Sequence, residues 1–292
     1  MMARQRELCI EAAAKLQEEG YEYAQCCVSG GFFDIAARRD GMLLIKVLED
    51  INAFAGAQAS GMKNAAAMLE SGCFVLGEFA GGQRLREGVL YQRHEVDAGG
   101  VGTLGMLIEE QKIFVRKNRR EYVRLDGKRL SQAREEAGMA LRELARKSGI
   151  SKDTLCRYEN NAGMALERHV DALEEIMRTG LRAGFDGMRA SAVGFDFYGM
   201  AAARLAKPFE LVAREKEDGA KIVFGAGQNK RALRAKAALC GEFSRISKAD
   251  CCFMVEKSKE DNIFGVPIIR KSELEEMGRV GRIAKLVRER KG

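Results

Sequence analysis

The 292-residue sequence predicts a fold of class α/β plus all-α: two related α/β domains, each ordered α-β-β-β-α-β, on either side of a small helical domain. Three observations predict it. The first is an internal repeat. Gly20-Tyr21-Glu22-Tyr23, Phe33-Asp34-Ile35-Ala36-Ala37-Arg38 and Asp40-Gly41 near the front return near the rear as Gly194-Phe195-Asp196-Phe197, Phe209-Glu210-Leu211-Val212-Ala213-Arg214 and Asp218-Gly219. Cys73-Phe74-Val75 is echoed by Cys252-Phe253-Met254-Val255, and Gly88-Val89 by Gly265-Val266. Blocks kept in one order at similar spacing mark a repeated structural unit. The second observation is a change of apolar period from helical to strand-like within each copy. The third is a central run of short helical segments punctuated by glycine.

The elements follow in chain order. Leu8, Ala12 and Leu16 recur at helical spacing, with Cys9 and Ala13 beside them, so a first helix runs to about Glu19 and stops at Gly20. Strands are expected at 21–28, 32–38 and 42–48, with a tight turn at Arg39-Asp40-Gly41. A second helix over 56–71 and a wholly apolar strand, Cys73–Leu76, complete the front copy. Ile113–Leu125 alternates around Asn118 and reads as a β-hairpin with Lys117, Arg119 and Arg120 at its tip. Leu130–Gly138 and Leu141–Gly149 read as two helices, each closed by glycine. Ser151 is the N-cap of a third, Lys152–Asn160. Leu166, Val170, Leu173, Ile176 and Met177 form the stripe of a fourth, and Arg279–Lys291 is a basic amphipathic helix expected to pack through Val280, Ile283 and Val287, the alternative being contact with nucleic acid. The implied domains are 1–110, 111–180 and 181–292.

Composition narrows the function classes. With 46% hydrophobic and 31% charged residues the chain is too apolar for disorder, and two prolines exclude a proline-rich spacer. No apolar run reaches the roughly 18–20 residues of a membrane span, and the N-terminus lacks a signal-peptide core, so a cytoplasmic location is expected. The net charge of +7 is unevenly spread: −6 over 1–110, +7 over 111–134, −2 over 135–180 and +8 over 181–292. A local basic cluster is a better sign of a polyanionic partner than the average. The eight cysteines include no C-x-x-C and the chain has only His94 and His169 as histidines, so the cysteines are expected to be reduced core residues and no metal site is assigned. No glycine-rich phosphate loop points to a cofactor, and none is assigned; any small-molecule effector is left open.

The α-β-β-β-α-β order resembles the restriction-endonuclease-like fold. That resemblance implies a metal held by an Asp at the start of the second strand and a Glu-x-Lys on the third. Asp34 and Lys46 fit two of the positions, but Leu44 stands where the second carboxylate belongs. A hard divalent cation needs several oxygen ligands, and leucine offers none. In the rear copy Glu210 stands for the Asp, with Ile222 and Phe224 expected at the carboxylate and lysine positions. Both copies are therefore expected to be scaffolds rather than enzymes; the alternative is a nuclease that recruits Glu11 from the first helix.

Gly138-Met139-Ala140-Leu141-Arg142-Glu143-Leu144-Ala145, Gly149-Ile150-Ser151, Leu155 and Glu159-Asn160 resemble the Cro/repressor-type helix-turn-helix over about 55 residues. Leu144, Ala145, Ile150 and Leu155 would fill the small core where the second and third helices cross. The resemblance implies an Arg134–Glu159 ion pair joining the first and third helices. It also implies a recognition helix at 152–160 in the major groove of double-stranded DNA. Lys152, Asp153 and Arg157 would face base edges, with Ser151 and Thr154 nearer the backbone. Asp153 either accepts from a cytosine amine or favours the helix N-terminus through the dipole. Leu141 replaces a glutamine that many members use for backbone docking, and Arg142 is expected to substitute. Lys117, Arg119 and Arg120 are expected to grip phosphates; the alternative is an exposed hairpin that connects domains. Taken whole, the arrangement resembles the archaeal family of HTH-type transcriptional regulators, which implies a homodimeric regulator that binds specific DNA. The competing readings are a metal-dependent nuclease and an antitoxin or architectural nucleic-acid-binding protein.

Overall fold

The computed structural model describes residues 3–109, 114–117, 120–160, 163–182, 194–215, 219–227, 229–277 and 281–291. The chain opens with helix α1 (Ala3–Glu18), strands β1 (Glu22–Gln25), β2 (Ile35–Arg38) and β3 (Met42–Val47), helix α2 (Gly56–Leu69) and strand β4 (Ser71–Leu76). A small ribbon, β5 (Phe79–Ala80) and β6 (Gln83–Arg84), leads to β7 (Val89–Arg93), β8 (Val96–Gly99) and helix α3 (Val101–Ile108). The middle holds β9 (Phe114–Lys117), β10 (Arg120–Leu125), α4 (Gly127–Glu136), α5 (Leu141–Ser148), α6 (Lys152–Asn160), β11 (Gly163–Leu166) and α7 (Glu167–Met177). The rear holds β12 (Phe195–Phe197), β13 (Met200–Arg204), β14 (Leu211–Arg214), β15 (Lys221–Ala226), α8 (Lys230–Ser247) and β16 (Asp250–Val255). It ends with β17 (Asn262–Ile263), β18 (Val266–Arg270), α9 (Lys271–Met277) and α10 (Gly281–Arg290). Two compact units result: one joins Met1–Arg84, Gln92–Val101 and Gly187–Gly292, the other Leu85–Tyr91 and Gly102–Asp186. The two outer segments thus share a single unit.

Within that unit the same strand order occurs twice. In the front segment β1, β2 and β3 pair antiparallel, and β3/β4 and β4/β8 pair parallel. In the rear segment β13, β14 and β15 pair antiparallel, and β15/β16 and β16/β18 pair parallel, with β12 and β17 added at the edges. The β12–β13 hairpin precedes the stretch expected to hold the second rear strand and was not anticipated from the sequence pattern. Parallel central strands buried on both faces explain the continuous apolar runs of β4 and β16. The first helix of the rear copy would fall on residues 183–193, outside the described residues.

Each segment's long helix packs on its own sheet, α2 on β4 and α8 on β16, and also reaches across to the other segment. α2 packs on β13 and β14 of the rear, and α8 packs on β1 and β2 of the front. Phe33 and Phe209, each just ahead of its segment's acidic residue, stack with ring centroids 6.3 Å apart, and both meet Phe243 of α8, at 5.2 and 4.8 Å. The helix ends are capped reciprocally. Arg38, at the end of β2, donates to the terminal carbonyls Ile246 O and Ser247 O of α8. Arg214, at the end of β14, pairs at 2.7 Å with Glu70, the C-cap of α2. Cations at helix C-termini complement the carbonyl dipoles there. Gly61 lets α2 approach closely, since a Cβ at that position would lie 2.7 Å from the backbone N of Ala206.

The structure shifts the expected rear equivalences by one residue. Asp34 donates its N–H to Ile45 O and Glu210 donates its own to Phe224 O, while Ile35 faces Ile45 and Leu211 faces Phe224. Phe224 therefore matches Ile45, and the lysine position falls on Gly225 rather than Phe224. The carboxylate position falls on Val223 rather than Ile222. Because side chains alternate across a strand, a one-residue slip exchanges core and site faces. Two cysteines also depart from expectation: Cys27 and Cys156 are exposed, while the other six are buried, and all eight are free. α10 does pack through Ile283 and Val287, both fully buried; Val280 lies outside the described residues. Phe209→Ala is expected to remove the stacked contact between segments and to lower stability by ~3–5 kcal/mol, read as a fall in the urea midpoint of the full chain.

Candidate nucleic-acid interface

The second unit is built on one small core in which Leu130, Leu144, Ile150, Leu155, Val170 and Leu173 meet Val123, Leu125, Ala165 and Leu181. Ala145 is partly buried against it, as the close approach of α5 and α6 requires. The strands contribute a short sheet: β10 lies between β9 and β11, antiparallel to both, and β7 pairs parallel with β9. The expected hairpin forms, with Lys117 opposite Arg120, although Ile113, Asn118 and Arg119 lie outside the described residues. β11 was not foreseen. Gly163–Leu166 reads from sequence as a break followed by helix, and the fourth helix starts only at Glu167 because these residues complete the sheet beside β10.

Each helix starts and stops for a local reason. Asp126 caps α4 by accepting the Arg129 N–H at 3.0 Å. A Cβ at Gly127 would lie only 2.0 Å from Tyr158 O, so glycine alone lets the first turn of α4 touch the last turn of α6. Gly149, at φ +67°, ends α5 in the left-handed region that favours glycine. Ser151 caps α6: its Oγ accepts the Thr154 N–H at 3.2 Å and donates to Thr154 Oγ1 at 2.9 Å.

Arg134 locks the arrangement. Its Nε and Nη2 donate to Glu159 Oε1 and Oε2 at 2.6 and 3.0 Å, and its Nη1 donates to Met139 O at 3.0 Å. One guanidinium thus ties α4 to α6 and to the turn before α5, as the Cro/repressor-type resemblance implies. The Glu159 carboxylate strengthens the guanidinium's hold on its proton, so Arg134 sits above its usual range. Nearby, Tyr158 Oη and His169 Nδ1 lie 3.0 Å apart. Burial holds the His169 imidazole below its ordinary value, with Arg168 adding to the effect.

This scaffold leaves a polar face on α6. Lys152, Asp153 and Arg157 are exposed, and Arg157 Nη2 donates to Thr154 Oγ1 at 3.3 Å, which holds it along the helix. Ser151 and Thr154 are committed to the N-terminal turn, with Ser151 exposed and Thr154 half-buried. Arg142 is exposed on the first turn of α5, whereas Leu141 packs on the core, which accounts for an apolar residue there. Arg146 is also exposed, one turn after Arg142, and Lys128 and Arg129 are exposed at the start of α4. Sequence reasoning passed over these three; the i, i+4 spacing of Arg142 and Arg146 was the available signal for the first. Lys117 is the last residue of β9 and Arg120 the first of β10.

The nuclease-like position in the first unit is different in kind. Lys46 Nζ lies 2.9 Å from Asp34 Oδ2, which also accepts the Val47 N–H at 2.8 Å, and the two side chains are only 4% and 2% exposed. Leu44 is fully buried, and Glu11 pairs with Arg4 on the exposed face of α1. In the rear, a Cβ at Gly225 would lie 3.1 Å from the Phe253 ring, so that aromatic fills the place a lysine would need. Phe253 is the register counterpart of Val75 in the front. Among the described residues no three His, Cys, Asp or Glu side chains gather as a metal would require. Burial pushes the Cys9, Cys26, Cys73 and Cys240 thiols up to about 12, which leaves them unreactive.

Comparisons with known proteins agree with both parts. Residues 5–113 match the PD-(D/E)XK superfamily domain and residues 130–182 match the helix-turn-helix family. The chain is 28% identical to a Pyrococcus horikoshii protein named "putative HTH-type transcriptional regulatory protein", covering 94% of this chain and 95% of that one. Proteins of the same name from Natronomonas pharaonis, at 27% with 95% and 96% coverage, and Methanobrevibacter smithii, at 28% with 94% and 95%, are similar to it over nearly the full length. No solved structure matches the chain.

Arg134→Leu is expected to lower the stability of the second unit by about 1.5–3 kcal/mol, measured by chemical denaturation, because it strands the Glu159 carboxylate. A depressed histidine favours the neutral folded form. Its contribution is complete above the unfolded value of about 6.5 and is lost as pH falls through the folded value. His169→Gln should therefore flatten the decline in thermal midpoint below that pH, in scans compared with the unmodified chain.

Proposed function

We infer that this chain is a sequence-specific DNA-binding transcriptional regulator whose α6 enters the major groove. The observation that carries the reading is the exposed set Lys152, Asp153 and Arg157 on a helix capped by Ser151 and fixed by the Arg134–Glu159 pair. The helix-turn-helix match over 130–182 and the name carried by the archaeal relatives support it. Arg157 reads a guanine edge, Lys152 and Asp153 flank it, and Ser151, Thr154 and Arg142 face the sugar-phosphate backbone. Lys117, Arg119 and Arg120 add phosphate contacts where the helices themselves carry little net charge. One module buries too little surface for operator selectivity, so the working form is a homodimer on double-stranded DNA.

The organisation supports a three-part reading: 1–110 and 181–292 as related restriction-endonuclease-like copies flanking the 111–180 DNA-binding segment. The shared strand order is the support for relating the two copies. Neither copy retains the acidic ligand pair, so the chain acts as a regulator rather than an enzyme. No described helix is long and apolar enough to cross a membrane, and a cytoplasmic location fits a DNA partner. The PD-(D/E)XK match over 5–113, with Asp34 and Lys46 still paired, favours nuclease activity as the second reading.

Footprinting on genomic fragments should give protected half-sites about one helical turn apart. Arg157→Ala should cost ~1–3 kcal/mol on those sites and relax specificity at one base pair. Replacing Lys117, Arg119 and Arg120 with glutamine should weaken all sequences alike and reduce the salt slope by about three units. Uniform binding without protected sites would overturn the regulator reading. Cleavage of DNA in Mg²⁺ or Mn²⁺ that disappears in Asp34→Ala would establish the nuclease instead.

A further inference from the structure

The rear segment of the first unit contains a crevice of about 930 Å³. That size falls within the ~300–1,000 Å³ of small-molecule sites. It opens at the carboxyl ends of the parallel strands β15 and β16, where Ala226 and Val255 line it, which is where ligands bind in open α/β sheets. At the matching position the front segment differs in its side chains. There Asp34 is buried against Lys46; here Glu210 is exposed, Gly225 carries no side chain, and the lysine is gone. Where the front copy buries an ion pair, the rear copy sets the Phe253 ring against Gly225 and leaves the Glu210 carboxylate on the wall of the crevice.

We propose that this crevice binds a small organic anion carrying an aromatic ring. Phe195 and Phe197 form an aromatic wall with the rings edge to face, and the Arg204 guanidinium sits 5.9 Å over the Phe195 ring. Phe195 remains 40% exposed beneath that guanidinium. A planar ligand would cover that face and meet Arg204 at its edge. On the opposite side Lys236 of α8 donates to Ala226 O at 2.6 Å, which holds its ammonium at the crevice with further N–H groups free to point inward. Lys271 and Glu256 neutralise each other at the rim. Arg204 and Lys236 then outweigh the single exposed carboxylate of Glu210, so the site selects negative charge. Glu210 is placed to accept from a ring amino or hydroxyl group.

Fluorescence titration of the full chain with 1-anilinonaphthalene-8-sulfonate, an aromatic sulfonate, tests this directly. One saturable site is expected, displaced by benzoate and not by benzylamine. Arg204→Gln and Lys236→Gln should each weaken the probe at least ~10-fold, the loss of one charge-assisted contact, and Ala232→Trp should abolish the signal by filling the crevice. Lys285→Gln, an exposed charge on α10, should leave it unchanged. Absence of a saturable site, equal displacement by benzylamine, or unaltered affinity in all three crevice variants would overturn the proposal. Should the variants lose their thermal unfolding transition, the competition experiment on the unmodified chain decides alone.

Discussion

The Arg134 guanidinium is the contact on which the DNA-reading unit depends. Three short helices of eight to ten residues have little intrinsic stability in water, and the core beneath them is small. Van der Waals packing of Leu130, Leu144 and Leu155 brings the helices together but leaves them free to slide. A planar fork that spends two donors on Glu159 and a third on Met139 O removes that freedom, because its geometry is satisfied at one relative placement. Such pairs contribute more reliably to specificity than to net stability. Here specificity is the relevant property, since the spacing between α5 and α6 is what a groove would measure.

The two outer segments share a strand order but differ in the side chains it carries. Strand order, helix placement and even the buried Asp34–Lys46 pair persist in the front segment, yet Leu44 removes the ligand that metal chemistry of that type would need. In the rear the change goes further: Gly225 admits the Phe253 ring, and the acidic residue has moved to the surface. Function must therefore be argued from each site, and the scaffold alone decides nothing.

Much of this was legible in the sequence, for identifiable reasons. α1, α2 and the helices of the central segment follow from apolar spacing and from stop signals such as Gly20 and Gly149, whose backbone lies at positive φ. The Arg134–Glu159 pair and the exposed face of α6 followed from the resemblance of this stretch to the Cro/repressor-type helix-turn-helix. What escaped was set by tertiary contact. Gly163–Leu166 is a strand only because β10 offers it a partner, and the β12–β13 hairpin likewise exists through pairing. The one-residue error at Phe224 arose because Ile222, Phe224 and their neighbours are uniformly apolar, so nothing in the pattern marked which side faced the site. The crevice was invisible for the same reason, being made of residues from separate strands and a helix.

The packing of α2 and α8 across both segments has a consequence for how the first unit is maintained. Two separate chains joined through α2 and α8 in this way would assemble only above some concentration, and as a homodimer both halves would share one sequence. With both halves on one polypeptide, Phe33 meets Phe209 at any dilution, and the two sides need not remain mirror copies. The pairing is permanent and its symmetry optional. That independence is what permits one half to keep its buried ion pair while the other opens a cavity.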